Sequence, residues 1–156
     1  VSAIRSASAS FTRPSNTTAY AAGDLVANNT TAGSVTPMTF TFPSGRPLYL
    51  THLKLRKTQD TLTSATFRLW LMTASPTVTN GDNGAIAGTF LSTLMCEPIQ
   101  IDALATLTGG GAIGSSLFTP GLIALPPIAY GLLEATAAYS PASAEVFTVE
   151  LIGEGL

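Results

Sequence analysis

Charge is what this sequence has least of. Only 10% of its 156 residues are Asp, Glu, Lys or Arg, against ~25% in an average soluble domain. With seven basic and nine acidic residues, nothing here favours nucleic acid, which would want clustered Lys and Arg. Cys96 is the only cysteine, so neither an intrachain disulfide nor a cysteine-built zinc site can form. His52 is the only histidine and Trp70 the only tryptophan. A catalytic histidine needs a nucleophile and an orienting carboxylate, and no spacing here supplies them. Carbohydrate-enzyme clefts usually hold several aromatics, and one Trp does not line a cleft.

Long apolar runs are also lacking. The longest stretch, Gly121 to Tyr139, is broken by Pro126-Pro127 and Glu134, whereas a membrane helix needs ~20 predominantly apolar residues. Val1-Ser2-Ala3-Ile4-Arg5 lacks the apolar run of a signal peptide. The expectation is a soluble chain with no membrane and no nucleic acid among its partners. Sustained helical periodicity is missing as well, and apart from Ala and Leu the good helix formers are scarce.

What is present is an apolar, neutral chain. Hydrophobic residues make up 46%, the net charge is −2, and Thr, Ser, Asn and Gly supply most of the polarity, so the chain has enough apolar surface to fold. Period-two alternation dominates. Phe67, Leu69 and Leu71 share one face of 66–72, with Arg68, Trp70 and Met72 on the other. Phe147, Val149 and Leu151 alternate with Thr148 and Glu150, and His52, Lys54 and Arg56 alternate with Leu53 and Leu55. Further strands are expected near 20–27, 35–42, 85–94, 99–107 and 128–135. Turn signals separate them at Asn28-Asn29, Pro43-Ser44-Gly45, Asn80–Gly84, Gly109–Gly111 and Ser140-Pro141. Eight or so short strands with regular turns predict an all-β fold, a jelly-roll-type antiparallel β-sandwich. Residues 1–16, with Ser6–Ser10 reading SASAS, are expected to form an extended N-terminal arm. Residues 17–156 then make a single sandwich domain.

Gly109–Gly114, GGGAIG, matches the dinucleotide fingerprint G-x-G-x-x-G, and Glu134 lies twenty residues further on. That motif works only between a strand and a helix whose N-terminus holds the pyrophosphate. Here Pro120, Pro126 and Pro127 follow, and proline breaks a helix. The expected structure is a glycine turn between strands, with no cofactor. Asn80-Gly81-Asp82-Asn83-Gly84 offers oxygen ligands but lacks the calcium-loop spacing; a hairpin turn needing positive φ accounts for it, and no metal is expected. Cys96 follows Leu94-Met95 with nothing basic nearby, the setting of a small buried hydrophobe rather than a thiolate. Glu97, Asp102, Glu134, Glu145, Glu150 and Glu154 lie on different strand candidates; a hydrolase would need two of them paired in space. Trp70 lies either in a second apolar layer or, beside Arg68, on a contact surface. No catalytic residue is assigned, and the expectation is a non-enzyme.

Two stretches carry a family resemblance. FTRPSNTTAYAAGDLVANNTTAGSVTPMTF (Phe11–Phe40) and FRLWLMTASPTVTNGDNGAI (Phe67–Ile86) resemble, in phrase and order, small virion proteins of tailed bacteriophages. The family is that of capsid decoration, or cement, proteins. The resemblance implies a small β-sandwich bound outside the capsid shell as a homodimer or homotrimer, stabilising it by bridging major capsid protein subunits. Its implied location is the outer capsid surface of the virion, after synthesis in the host bacterial cytoplasm. The expected contact residues are Arg5 and Arg13 on the arm, Trp70 with Arg68, and the His52–Lys54–Arg56 face. The alternative expectation is a receptor- or glycan-binding sandwich module of a tail fibre or adhesin, with Trp70 or tyrosines exposed on a concave patch.

Overall fold

The computed structural model describes residues 3–43, 46–101, 104–118 and 123–155. In chain order the strands are β1 (Ile4–Thr12), β2 (Asp24–Val26), β3 (Met38–Thr41), β4 (Leu48–Lys57), β5 (Phe67–Met72), β6 (Thr77–Val78) and β7 (Gly88–Thr89). After a single 3-10 turn at Leu91–Thr93 come β8 (Ile99–Ile101), β9 (Leu104–Leu107), β10 (Gly111–Leu117), β11 (Ala124–Leu125), β12 (Ile128–Ala135) and β13 (Val146–Gly155). Among the described residues no helix is long and apolar enough to cross a membrane.

The fold is all-β, with two large antiparallel sheets packed face to face and a small two-stranded one made by β6 and β7. The first sheet runs β1-β13-β4-β10-β9, with β11 beside the start of β4. The second runs β2-β12-β5-β8, and β3 shares with β2 the same edge of β12. Pairing is nested: β1 with β13, β2 and β3 with β12, β4 with β10, β5 with β8. The chain is thus a long hairpin folded over on itself, alternating between sheets.

Alternation decides which side chains meet in the middle. Leu53 and Leu55 of β4 and Phe147, Val149 and Leu151 of β13 point inward from the first sheet; Phe67, Leu69 and Leu71 of β5 and Leu133 of β12 answer from the second. Phe67 sits edge-on to Phe147 and to Tyr139, with ring centroids 5.5 and 5.3 Å apart. Such pairs contribute about 1 kcal/mol each beyond the area they bury.

The two outer faces differ. On the second sheet, Leu25, Ala27, Met72 and Leu132 form another apolar layer, capped by Val78 of β6 and by Phe90 next to β7. On the first sheet no second layer lies over the outward side chains among the described residues.

Residues 4–12, expected within an extended arm, form the end strand of the first sheet, paired with β13 in unbroken register from Ile4–Glu154 to Thr12–Val146. Ala7, Ala9 and Phe11 face the core while Ser6, Ser8 and Ser10 face out. Alanine and serine differ so little in hydropathy that this alternation hardly registers in a pattern search. β10 is a strand the sequence reading left as loop, for a similar reason: its inward positions are Ala112, Gly114 and Ser116, opposite Lys57, Leu55 and Leu53. The fingerprint glycines turn the chain between β9 and β10. Gly109 and Gly111 have φ of +70° and +89°, and a Cβ on Gly111 would overlap the Lys57 carbonyl oxygen. Turn geometry and close approach explain these glycines.

Candidate interaction surface

Most charged side chains are occupied within the fold. Arg13 is 1% exposed, so it is not presented on the surface as the sequence reading expected. Its Nε donates to the Tyr20 hydroxyl (2.8 Å), one terminal nitrogen to Asp82 Oδ2 (3.0 Å), and the other to the carbonyls of Asn16 and Ala142 (2.6 and 3.2 Å). Asp82 Oδ1 accepts from the Tyr20 hydroxyl (2.7 Å) and from the Ala27 amide (2.9 Å). The Asn80–Gly84 loop therefore delivers a carboxylate that anchors the segment before β2 to the end of β1. Arginine is suited to this, because its planar fork can satisfy several acceptors at once.

A second network lies beside the first. Buried Lys57, at the end of β4, donates to the carbonyls of Gln59 and Thr61 (2.6 and 2.7 Å) and to the Tyr139 hydroxyl (3.0 Å). Its Nζ is 3.5 Å from the buried Glu145, which accepts the Tyr139 hydroxyl proton at 2.8 Å. Tyr20 and Tyr139 stack with centroids 6.5 Å apart, joining the two networks. Burial, reinforced by Asp82 for Tyr20 and by Glu145 for Tyr139, pushes both phenols well above their ordinary range. Burial also lowers the Lys57 ammonium, opposed by the Glu145 charge. No described buried polar side-chain atom lacks a hydrogen-bond partner. These groups hold one end of the sandwich together.

Arg68, Trp70 and Glu134 form a third cluster, on the outer face of the second sheet. The register sets Arg68 opposite Glu134 and Trp70 opposite Leu132. Arg68 makes a bidentate pair with buried Glu134, both bonds 2.7 Å, and this holds its guanidinium above the usual value. The Trp70 indole N–H donates to Glu134 Oε2, and its ring packs edge-on to Phe90 at 5.8 Å. Of the two places open to Trp70, the fold puts it in the second apolar layer. Arg68 stays partly exposed at the rim.

His52, Lys54 and Arg56 do share a face, the outward side of β4, and this is the bare face of the first sheet. Cross-strand rows can be read across it. Ser8, Glu150, Lys54 and Ser115 make one; Ser6, Ile152, His52 and Leu117 the next; Ser10, Thr148, Arg56 and Ile113 a third. Lys54 is 3.9 Å from Glu150, a solvated pair contributing little. Leu117 is 73% exposed, and Leu107, Ile113 and Ile4 are also exposed large apolar groups; all four belong to strands of this sheet. The sequence reading missed them. Leu117 and Ile113 lie in a stretch it took for loop, and Ile4 in one it took for arm. The sequence signal for Ile113 and Leu117 is the period-two spacing within 111–117, and Leu107 closes the strand expected near 99–107.

The remaining candidates do not converge. Arg5 is exposed near the start of β1, far along the strand from Arg13. Cys96 is half buried, its thiol pushed up by burial and by Glu97. Glu134, Glu145 and Glu150 are each engaged by a different cation, Arg68, Lys57 and Lys54, and Asp102 lies outside the described residues. A groove of about 550 Å³ runs between the β1 edge of one sheet and the β3 edge of the other, lined by Phe11, Asn28, Thr36, Met38 and Thr39 among others. Comparison with protein-family models, with curated proteins and with solved structures returned no match.

Proposed function

We propose that this chain is a structural virion protein that attaches to the outside of a tailed-phage capsid and stabilises the shell by bridging major capsid protein subunits. The observation that carries the reading is the asymmetry of the two sheets. One outer face is capped by its own apolar layer, while no such layer among the described residues covers the other, where His52, Lys54 and Arg56 are set among Ile113 and Leu117. A bare face that sets apolar groups beside Lys54, Arg56 and Glu150 offers both area to bury and charges to pair with a partner's groups, and repetition around a shell multiplies a modest contact by avidity. The buried charges bind other parts of the same chain, which is consistent with adhesion rather than chemistry.

The same proposal includes the topology. The orders β1-β13-β4-β10 and β3-β12-β5-β8, with nested pairing, support a jelly-roll reading of the sandwich. The glycan-binding alternative called for Trp70 or tyrosines exposed on a concave patch; Trp70 lies against Phe90, and Tyr20 and Tyr139 are buried, which weighs toward attachment.

Decoration of undecorated shells tests the reading. Purified protein is mixed with shells, bound copies are counted after sedimentation, and the temperature of shell disruption is recorded. Saturable binding with a higher disruption temperature is expected. Absence of binding, or binding with no gain in shell stability, would exclude a cement role.

A further inference from the structure

β1 is the end strand of its sheet, and apart from Arg5, whose side chain falls on the core side, it carries few of the devices that usually protect an end strand. It is nine residues long, in unbroken register, without proline, lysine or bulge. Its hydrogen-bonding parity can be read from both ends. The Ala3 carbonyl accepts from the Gly155 amide and the Arg13 amide donates to the Glu145 carbonyl. Odd-numbered residues therefore bond to β13, and the even-numbered Ile4, Ser6, Ser8, Ser10 and Thr12 direct their N–H and C=O groups outward.

We propose that this edge pairs with the β1 edge of a second copy, antiparallel about a two-fold axis at Ser8, to give a homodimer with one continuous sheet. Among two-fold registers, only the one centred on Ser8 pairs every residue from 4 to 12. It sets Ser8 opposite Ser8 of the second copy, Ser6 opposite Ser10, and Ile4 opposite Thr12. All of these are even-numbered, so every outward amide meets an outward carbonyl. On the core side the same register places Arg5 opposite the second copy's Phe11. Phe11 is half-buried and stacked on Phe147 at 5.7 Å, and it borders the 550 Å³ groove with Thr36, Met38 and Thr39. A guanidinium over that ring makes a cation–π contact twice per dimer, and it gives exposed Arg5 a partner. Main-chain bonds replace bonds to water and add little net affinity, so these side-chain contacts supply the specificity. Serine and alanine on the two faces keep the edge flat enough for close approach.

The axis stands perpendicular to the sheet, so both bare faces end on the same side. For its use on a shell the inference rests on the attachment reading, since a dimer of this form offers two coplanar faces. The pairing itself is tested in solution without shells, so loss of dimer and loss of shell binding are separate results.

Sedimentation equilibrium of the purified chain should give a species of twice the chain mass. Ser8→Pro removes only edge-facing amides and leaves the β13 ladder intact; it should weaken dimerisation about 10–100-fold, for two lost bonds, with unfolding midpoint nearly unchanged. In a Cys96→Ser background, Ser8→Cys should form a symmetric intermolecular disulfide on mild oxidation, because residues facing each other there lie ~5.5 Å apart at Cα. Ser6→Cys, facing Ser10, should not. A monomer at all concentrations, a dimer indifferent to Ser8→Pro, or equal crosslinking at positions 6 and 8 would each overturn the proposal.

Discussion

Arg13 and Asp82 show how a chain poor in charge uses the charges it has. Both side chains are fully buried, and each oxygen of Asp82 has partners from segments distant in sequence. Removing one member leaves the other desolvated and unpaired. Arg13→Met is therefore expected to destabilise by about 3–5 kcal/mol, while Arg13→Met with Asp82→Leu should recover much of that loss. Urea denaturation of the two variants checks it; equal losses would mean that packing rather than charge sets the cost. The stacked tyrosines add a pH dependence. Both phenols titrate higher in the folded state than their ordinary value of 10.0. The stability they contribute is complete below pH 10 and falls as pH rises above it, by up to ~1.4 kcal/mol per pH unit per tyrosine. Lys57 has the opposite sign: its folded value is lowered, so stability rises with pH up to its ordinary 10.5. Above that value only the tyrosine slope remains, and Tyr139→Phe should reduce it by about one proton. An unchanged slope in that variant would count against the buried phenol as its source.

At the scale of elements, the β9–β10 hairpin separates turn geometry from any ligand role. Gly111 combines a φ of +89° with close approach to the Lys57 carbonyl, whereas Gly109 has a φ of +70° and open space around its Cα. Gly111→Ala should cost about 2–4 kcal/mol and Gly109→Ala about 1 kcal/mol. Thermal unfolding should show the difference as several degrees, at roughly 2–4 °C per kcal/mol for a chain of this size. Similar shifts for the two would remove the steric argument. On β1, Ala7→Pro breaks the ladder to β13 and should destabilise by ~3 kcal/mol or more, in contrast to Ser8→Pro on the same strand. These two elements also mark where the sequence was hard to read. β5 and β13 were legible because Phe, Leu and Val alternate with polar or charged side chains, and β4 because Leu53 and Leu55 do so. β1 and β10 were not, since small residues fill most of their inward positions (Ala7 and Ala9; Ala112, Gly114 and Ser116), so no large apolar stripe marks a core face. Of the candidate surface, His52, Lys54 and Arg56 could be placed on one face from alternation alone. Arg13 could not be assigned to the interior, because its partners Tyr20 and Asp82 arrive from other parts of the chain.

At the scale of the whole molecule, the decisive feature is that one sheet is capped while, among the described residues, the other carries no second layer. The segment from β6 through the 3-10 turn lies over the second sheet and encloses Met72 and Leu132, with Trp70 packed against them, so that face is already used. The first sheet keeps an open surface on which a basic column runs beside exposed Ile113 and Leu117. Attachment through this face predicts that substitutions on it leave folding unchanged, because their side chains touch little of the chain itself. Equivalent changes on the capped side, such as Phe90→Ala, should cost about 3–5 kcal/mol of stability before any effect on binding is seen.

The most direct test is sedimentation binding to undecorated shells of a triple variant, Lys54→Glu, Arg56→Glu and Leu117→Asp, beside the unaltered protein. The account predicts a variant with the same unfolding midpoint and at least a ~100-fold loss of affinity, as central apolar and arginine contacts usually dominate an interface. A variant that decorates shells as fully as the parent would contradict attachment through the open sheet.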